Sequence, residues 1–211
     1  MAPRAQSSDR GRFLVLDGID GCGKSTQADG LARRLRLASG RVVQHLREPG
    51  STALGEGLRE LLLAREHPIG ARAETLLFAA ARAQMLEELV EPALARGEHV
   101  VCERFHPSTF AYQAVAGGLG EEAVLALLRG WAGSPEPDLV LWLDLPLERA
   151  LERRGAASDR IERRDLDYQR AVARGYARYA ELDPRLVRID AAAAPAQVAA
   201  ALDQEVARVL G

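Results

Sequence analysis

The sequence predicts an α/β fold in which a five-stranded parallel β-sheet is flanked by α-helices. Three observations predict it. Short apolar runs recur five times, stretches with leucine and alanine at helical spacing separate them, and a glycine-rich turn joins the first run to the first such stretch. A chain of 211 residues can bury one sizeable core of this kind and is short for two. We therefore expect a single domain over residues 11–211, preceded by a flexible polar leader at 1–10.

In chain order, the strands are expected at "RFLVLD" (12–17), "RVVQHL" (41–46), "EHVVCE" (98–103), "DLVLWLD" (138–144) and "RLVRID" (185–190), all buried. Helices are expected at 25–38, 53–64, 72–96, 107–132 with a break at Gly117-Gly118, 147–154, 162–181 and 195–210. Strand, helix, strand in repetition implies crossover connections and helices on both sheet faces. The alanine-rich carboxyl end reads as a packed helix, because Pro195 suits a helix start and Val198, Leu202 and Val206 recur every four residues.

Composition excludes several classes. Net charge is −2 with acids and bases nearly balanced, so the chain lacks the basic field that general nucleic-acid binding needs. Cys22 and Cys102 are far apart without zinc-type spacing, which points to a reducing, cytoplasmic compartment rather than a disulfide framework. The amino terminus has no apolar signal region, and no stretch approaches the roughly 18 uninterrupted apolar residues of a membrane span.

Between the first strand and the first helix lies "GIDGCGKST", in which Gly18, Ile19, Asp20, Gly21, Cys22, Gly23, Lys24 and Ser25 fit G-x-x-x-x-G-K-[ST], followed by Thr26. Its glycines let backbone N–H groups wrap a phosphate chain at a helix amino terminus, so these nine residues are the expected ATP-binding loop. Lys24 is the only lysine; every other basic residue is arginine. A compact ammonium on a flexible stem can follow a moving phosphoryl group where a planar guanidinium prefers one fixed pose, although a compositional bias of the source would also leave few lysines. Ser25 is expected to place its hydroxyl on a Mg²⁺ between the β- and γ-phosphates. A second acidic ligand is expected at the carboxyl end of a strand, where open parallel sheets bind ligands: Glu103 first, Asp144 next. The absence of N-K-x-D argues against a GTPase.

Five stretches, "LDGIDGCGKSTQ" (16–27), "REPGST" (47–52), "LLFAAARAQ" (76–84), "ERFHPSTFAYQ" (103–113) and "DRIE" (159–162), occur in the order and spacing of one family. From about residue 12 onward the chain resembles the bacterial thymidylate kinases, a P-loop nucleoside monophosphate kinase family. The resemblance implies a P-loop NTPase fold with a short lid, here at about 153–162, transfer of the γ-phosphoryl of ATP to dTMP, dependence on Mg²⁺, and a homodimer. Residue by residue it implies that Phe78 stacks on thymine and that Arg82, four residues on, donates to the base O4. It further implies that Asp20 accepts from the sugar 3′-hydroxyl, that Thr109 and Tyr112 line the pocket, and that Arg104 grips the acceptor phosphate. Two departures stand out. The family usually shows Asp-Arg where this chain has Glu103-Arg104, which puts direct metal contact by Glu103 in question. Gly21 also replaces the P-loop arginine of some members. The compensating charge is then expected from Arg153, Arg154 and Arg160 around the lid. Kinases of other monophosphates and a nucleotide-dependent switch remain as alternative readings.

Overall fold

β1 (Phe13–Asp17) is buried along its whole length because it runs through the middle of the sheet. The computed structural model describes residues 10–64, 68–130, 132–155 and 159–210. Its other strands are β2 (Val43–Arg47), β3 (His99–Glu103), β4 (Leu139–Asp144) and β5 (Leu186–Asp190), all parallel, in the order β2-β3-β1-β4-β5. β2 and β5, expected to be buried, are edge strands covered only in part. Val43 and Leu46 point inward while His45 and Arg47 are exposed.

Successive side chains of a strand alternate between faces, and that period of two divides the core. Leu14 and Leu16 of β1 join Val101, Leu141 and Leu143 in one apolar layer, while Phe13 and Val15 join Val100, Cys102 and Val140 in another. Each such buried side chain contributes about 1.5–3 kcal/mol relative to exposure.

The helices are α1 (Lys24–Ser39), α2 (Ala53–Leu63), α3 (Ala71–Met85), α4 (Glu91–Ala95), α5 (His106–Thr109), α6 (Glu121–Arg129), α7 (Leu147–Arg154), α8 (Leu166–Ala180) and α9 (Pro195–Leu210). α1 buries Ala28, Leu31, Ala32 and Leu35 at three- and four-residue spacing and stops at Gly40, whose left-handed φ of 66° suits glycine. α9 closes over it: Val198, Leu202 and Val206 share the layer of Leu31 and Leu35, and Arg34 pairs with Asp203 at 2.7 Å.

Three expected helices differ in detail. The 72–96 stretch contains a π-helical segment, Leu86–Val90, just before Pro92, which has no N–H for the ladder. The 107–132 stretch is π-helical over Phe110–Ala116, and beyond the expected break at the glycine pair it resumes as α6. The 162–181 helix starts later, at Leu166, where Asp165 accepts from the Tyr168 N–H at 2.8 Å and caps it. Leader residues 1–9 lie outside the described residues, whereas Arg10 is anchored to Asp138 at 3.0 Å. Among the described residues no helix is long and apolar enough to cross a membrane.

Candidate active site

Sheet register places Leu16, just before the glycine loop, beside Glu103 on the neighbouring strand. Two segments almost ninety positions apart thus meet at the carboxyl edge of the sheet, the usual place for a ligand in this architecture. They open into a cavity of about 690 Å³, within the range of small-molecule sites.

On one side lies the glycine loop. Gly23, with φ of 92°, leads directly into α1, so Lys24 is the first helical residue. Lys24 is 8% exposed, and its Nζ donates to Ile19 O and Asp20 Oδ1, each at 3.2 Å. A Cβ on Gly21 would come within 2.1 Å of the Ala150 carbonyl oxygen of α7, at a φ of 87°. That explains the missing P-loop arginine: α7 backbone occupies its path. Lys24, Asp20, Gly21, Gly23, Ser25 and Thr26 line the cavity; Gly18, Ile19 and Cys22 lie behind them.

Asp20 gathers charge. Its carboxylate is bonded by Arg104 Nη2, by Lys24, and by the Tyr112 hydroxyl at 3.0 Å. Burial pushes its pKa up, but Arg104 and Lys24 outweigh burial and hold the carboxyl well below the usual range. Ser25 Oγ donates to Glu103 Oε2 at 2.5 Å, and His45 Nε2 lies 3.0 Å from Glu103 Oε1. For Glu103 too, burial works upward while His45 and Ser25 pull the pKa down, and the net shift is downward. Asp144, the second acidic candidate, is instead held by Arg188 at 2.5 Å and is not on the cavity wall.

The opposite wall comes from α3 and the β3–α5 junction. Phe78 is half-buried; it packs against the core and also faces the cavity. Arg82 is 2% exposed and clamped by Glu48, with Nη2 2.6 Å from Glu48 Oε2 and 2.9 Å from Thr109 Oγ1. Arg82 is one of the residues lining the cavity, and its remaining nitrogen, Nη1, is buried without a partner. Burial pushes the Glu48 carboxyl up, and Arg82 offsets this only in part. Thr109, expected to line the pocket, instead accepts from Arg82 and is not among the residues lining the cavity.

The lid arginines diverge. Arg153 reaches the cavity and donates to Ala191 O at 3.1 Å. Arg154 does not line the cavity, and its Nε is buried without a partner. Arg160 turns away to Leu62 O and to Glu74. Ala156, Ala157 and Ser158 of the expected lid lie outside the described residues.

Several groups at the site escaped sequence reasoning. Asp17 is fully buried; it accepts from the Gly18, Phe105 and Ser108 N–H groups and from the Ser108 and Tyr176 hydroxyls, all within 2.7–3.0 Å. These bonds fix the backbone around Arg104, whose φ of 67° is left-handed and costs a non-glycine residue about 1–3 kcal/mol. Arg47, Glu48, Arg59, Ser108 and Gln113 also line the cavity. A carboxylate ending the β1 run was the one available signal for Asp17; for the others, only the fold brings them in.

The thymidylate kinase family model matches residues 16–202. A thymidylate kinase of Verminephrobacter eiseniae is 47% identical over 194 residues, covering 86% of this chain and 84% of that protein. One from Parasynechococcus marenigrum is 44% identical over 208 residues, covering 95% and 99%. The crystal structure of thymidylate kinase from Ehrlichia chaffeensis matches with a TM-score of 0.78 at 27% identity over 93% of this chain and 98% of that one. With the family matched over most of its length, and with the glycine loop, the buried arginine and the Glu103-Arg104 corner meeting in one cavity, this chain belongs to the thymidylate kinase family.

Proposed function

We propose that the protein transfers the γ-phosphoryl group of ATP to dTMP, giving dTDP. The observation that carries this reading is Arg82, which lines the same cavity as Phe78 and the phosphate-binding loop and keeps one nitrogen, Nη1, without a partner in the protein. A base carbonyl such as thymine O4 satisfies that donor, whereas the amino group of cytosine would face it donor to donor. Gln113 complements it: Nε2 is held by Glu74 at 2.9 Å, and among the described residues nothing in the protein bonds its Oε1, which suits an imino N3–H. Phe78 offers an apolar face for the base.

Chemistry follows from placement. A nucleoside monophosphate has its second phosphate pKa near about 6, so the attacking oxygen is already anionic at neutral pH and no general base is required. What the protein supplies is orientation and positive charge. Arg104 and Arg59 face the acceptor phosphate, Lys24 follows the phosphoryl group, and Arg153 covers it from α7. Asp20, which gathers Lys24 and Arg104 into one place, offers its carboxylate to the sugar 3′-hydroxyl. Closure of the 153–162 segment keeps water from the phosphoryl group.

Ser25 Oγ and the Glu103 carboxylate are adjacent hard oxygens and fit a Mg²⁺ ion. No cluster of three or more metal-binding side chains occurs among the described residues, in keeping with an ion that takes its other ligands from phosphates and water. Bound there, Mg²⁺ would neutralise charge between the β- and γ-phosphates. We read residues 11–211 as one kinase domain that works as a homodimer in the cytoplasm; sedimentation of the purified chain tests the dimer.

The deciding experiment is ADP release from ATP and Mg²⁺ with dTMP, dUMP, dCMP, dAMP and dGMP as acceptors. Strong preference for dTMP is expected. Equal activity on purines would discard the base pocket, and no acceptor-dependent ADP would favour a nucleotide switch.

A further inference from the structure

Glu74, in the first turn of α3, is 2% exposed and commits its two carboxylate oxygens to different parts of the chain. Oε1 accepts from Gln113 Nε2 at 2.9 Å, and Oε2 accepts from Arg160 Nη2 at 2.5 Å. Arg160 is also fixed by Leu62 O, at 3.1 and 3.2 Å. Gln113 is 3% exposed and lines the cavity.

The two ends of a glutamine amide are nearly the same shape, so packing alone does not choose between them; hydrogen bonding does. A carboxylate oxygen only accepts. Gln113 must therefore turn its NH₂ toward Glu74 and its oxygen away, since the reversed amide would set oxygen against oxygen. Arg160 sets a counter-charge beside the buried Glu74 side chain.

We propose that Glu74 is a positioning residue: one oxygen holds the Gln113 amide, the other docks Arg160, and together they fix which hydrogen bond the acceptor cavity offers a base. This rests on the dTMP reading above. With Glu74 in place the wall presents an acceptor, matched to thymine N3–H; with the amide reversed it presents a donor, matched to cytosine N3.

The test compares kcat and KM for dTMP and dCMP in the full-length wild type, Glu74→Ala, Glu74→Gln, Gln113→Ala and the Glu74→Ala/Gln113→Ala double variant. Glu74→Ala is expected to lower the dTMP-over-dCMP ratio of kcat/KM about tenfold, through KM for dTMP and with KM for ATP unchanged. In the Gln113→Ala background the same change should move the ratio by less than about twofold. Glu74→Gln keeps the size should the alanine variant fail to fold. Its amide can satisfy Gln113 or Arg160 but not both, so the ratio should again fall, and adding Arg160→Met should restore it. A folded Glu74 variant of either kind with an unchanged ratio, or an equal loss of the ratio in both backgrounds, overturns the proposal. A wild-type chain that releases no ADP with dTMP would overturn the activity reading itself, and this inference with it.

Discussion

Glu48 and Arg82 form a fork-shaped buried ion pair, with Arg82 Nε 3.0 and 2.8 Å from the two Glu48 oxygens and Nη2 2.6 Å from Oε2. Both are drawn out of water, at 6% and 2% exposure, so the pair adds little net stability and serves to aim the remaining nitrogen. Removing one partner is another matter. Glu48→Ala leaves a buried guanidinium without its counter-charge and is expected to destabilise the fold by about 3–5 kcal/mol. Urea denaturation measures it; a loss below about 1 kcal/mol would mean that Arg82 finds another acceptor.

Lys24→Met removes the one ammonium from the phosphate loop and one of the cations around Asp20. We expect kcat to fall about 10³-fold or more while dTMP affinity changes by less than about threefold, read from single-turnover rates and equilibrium titration. Equal losses in both would count against a role in the transition state.

Gly21→Arg, which restores the P-loop arginine of other family members, is expected to harm this chain. Any Cβ there meets the Ala150 carbonyl at 2.1 Å and would hold an unfavourable φ, so α7 must move. A loss of about 2–4 kcal/mol, with a raised KM for ATP, is the expected outcome of thermal melts and kinetics. A variant as stable as the parent would show that α7 yields easily.

His106 gives the fold an acid-sensitive element. Burial, with Arg82 nearby, lowers its pKa from 6.5 to about 3, while its Nε2 meets Ala132 O at 3.2 Å. In the unfolded chain it takes up a proton near its ordinary value; in the folded chain it resists. Stability from the neutral ring is therefore full above about pH 6.5 and is lost as pH falls toward 3. Between those limits, denaturant midpoints of the wild type should fall more steeply with acid than those of His106→Gln. Parallel slopes would remove His106 from the account.

Much of the site was legible because it is local. The glycine loop needs no partner to be recognised, and its place between an apolar run and a helical pattern was readable from residues 12–38. Phe78 and Arg82 lie one helical turn apart, so a shared face followed from spacing alone. The lid was less legible. Arg153, Arg154 and Arg160 carry the same charge in neighbouring positions, and only packing separates one that reaches the cavity from one that is half-buried off it and one docked on Glu74.

By itself, the sequence determined the elements and the glycine loop, since periodicity and motif spacing are written in neighbouring residues. Tertiary structure decided which distant groups meet. Asp17 holds the turn around Arg104, Glu48 aims Arg82, and Glu74 joins Gln113 to Arg160 across separations of 34 to 91 positions. Those pairings arise when β1 and β3 lie side by side and helices cover the sheet, and buried polar groups must then find partners whatever their distance along the chain.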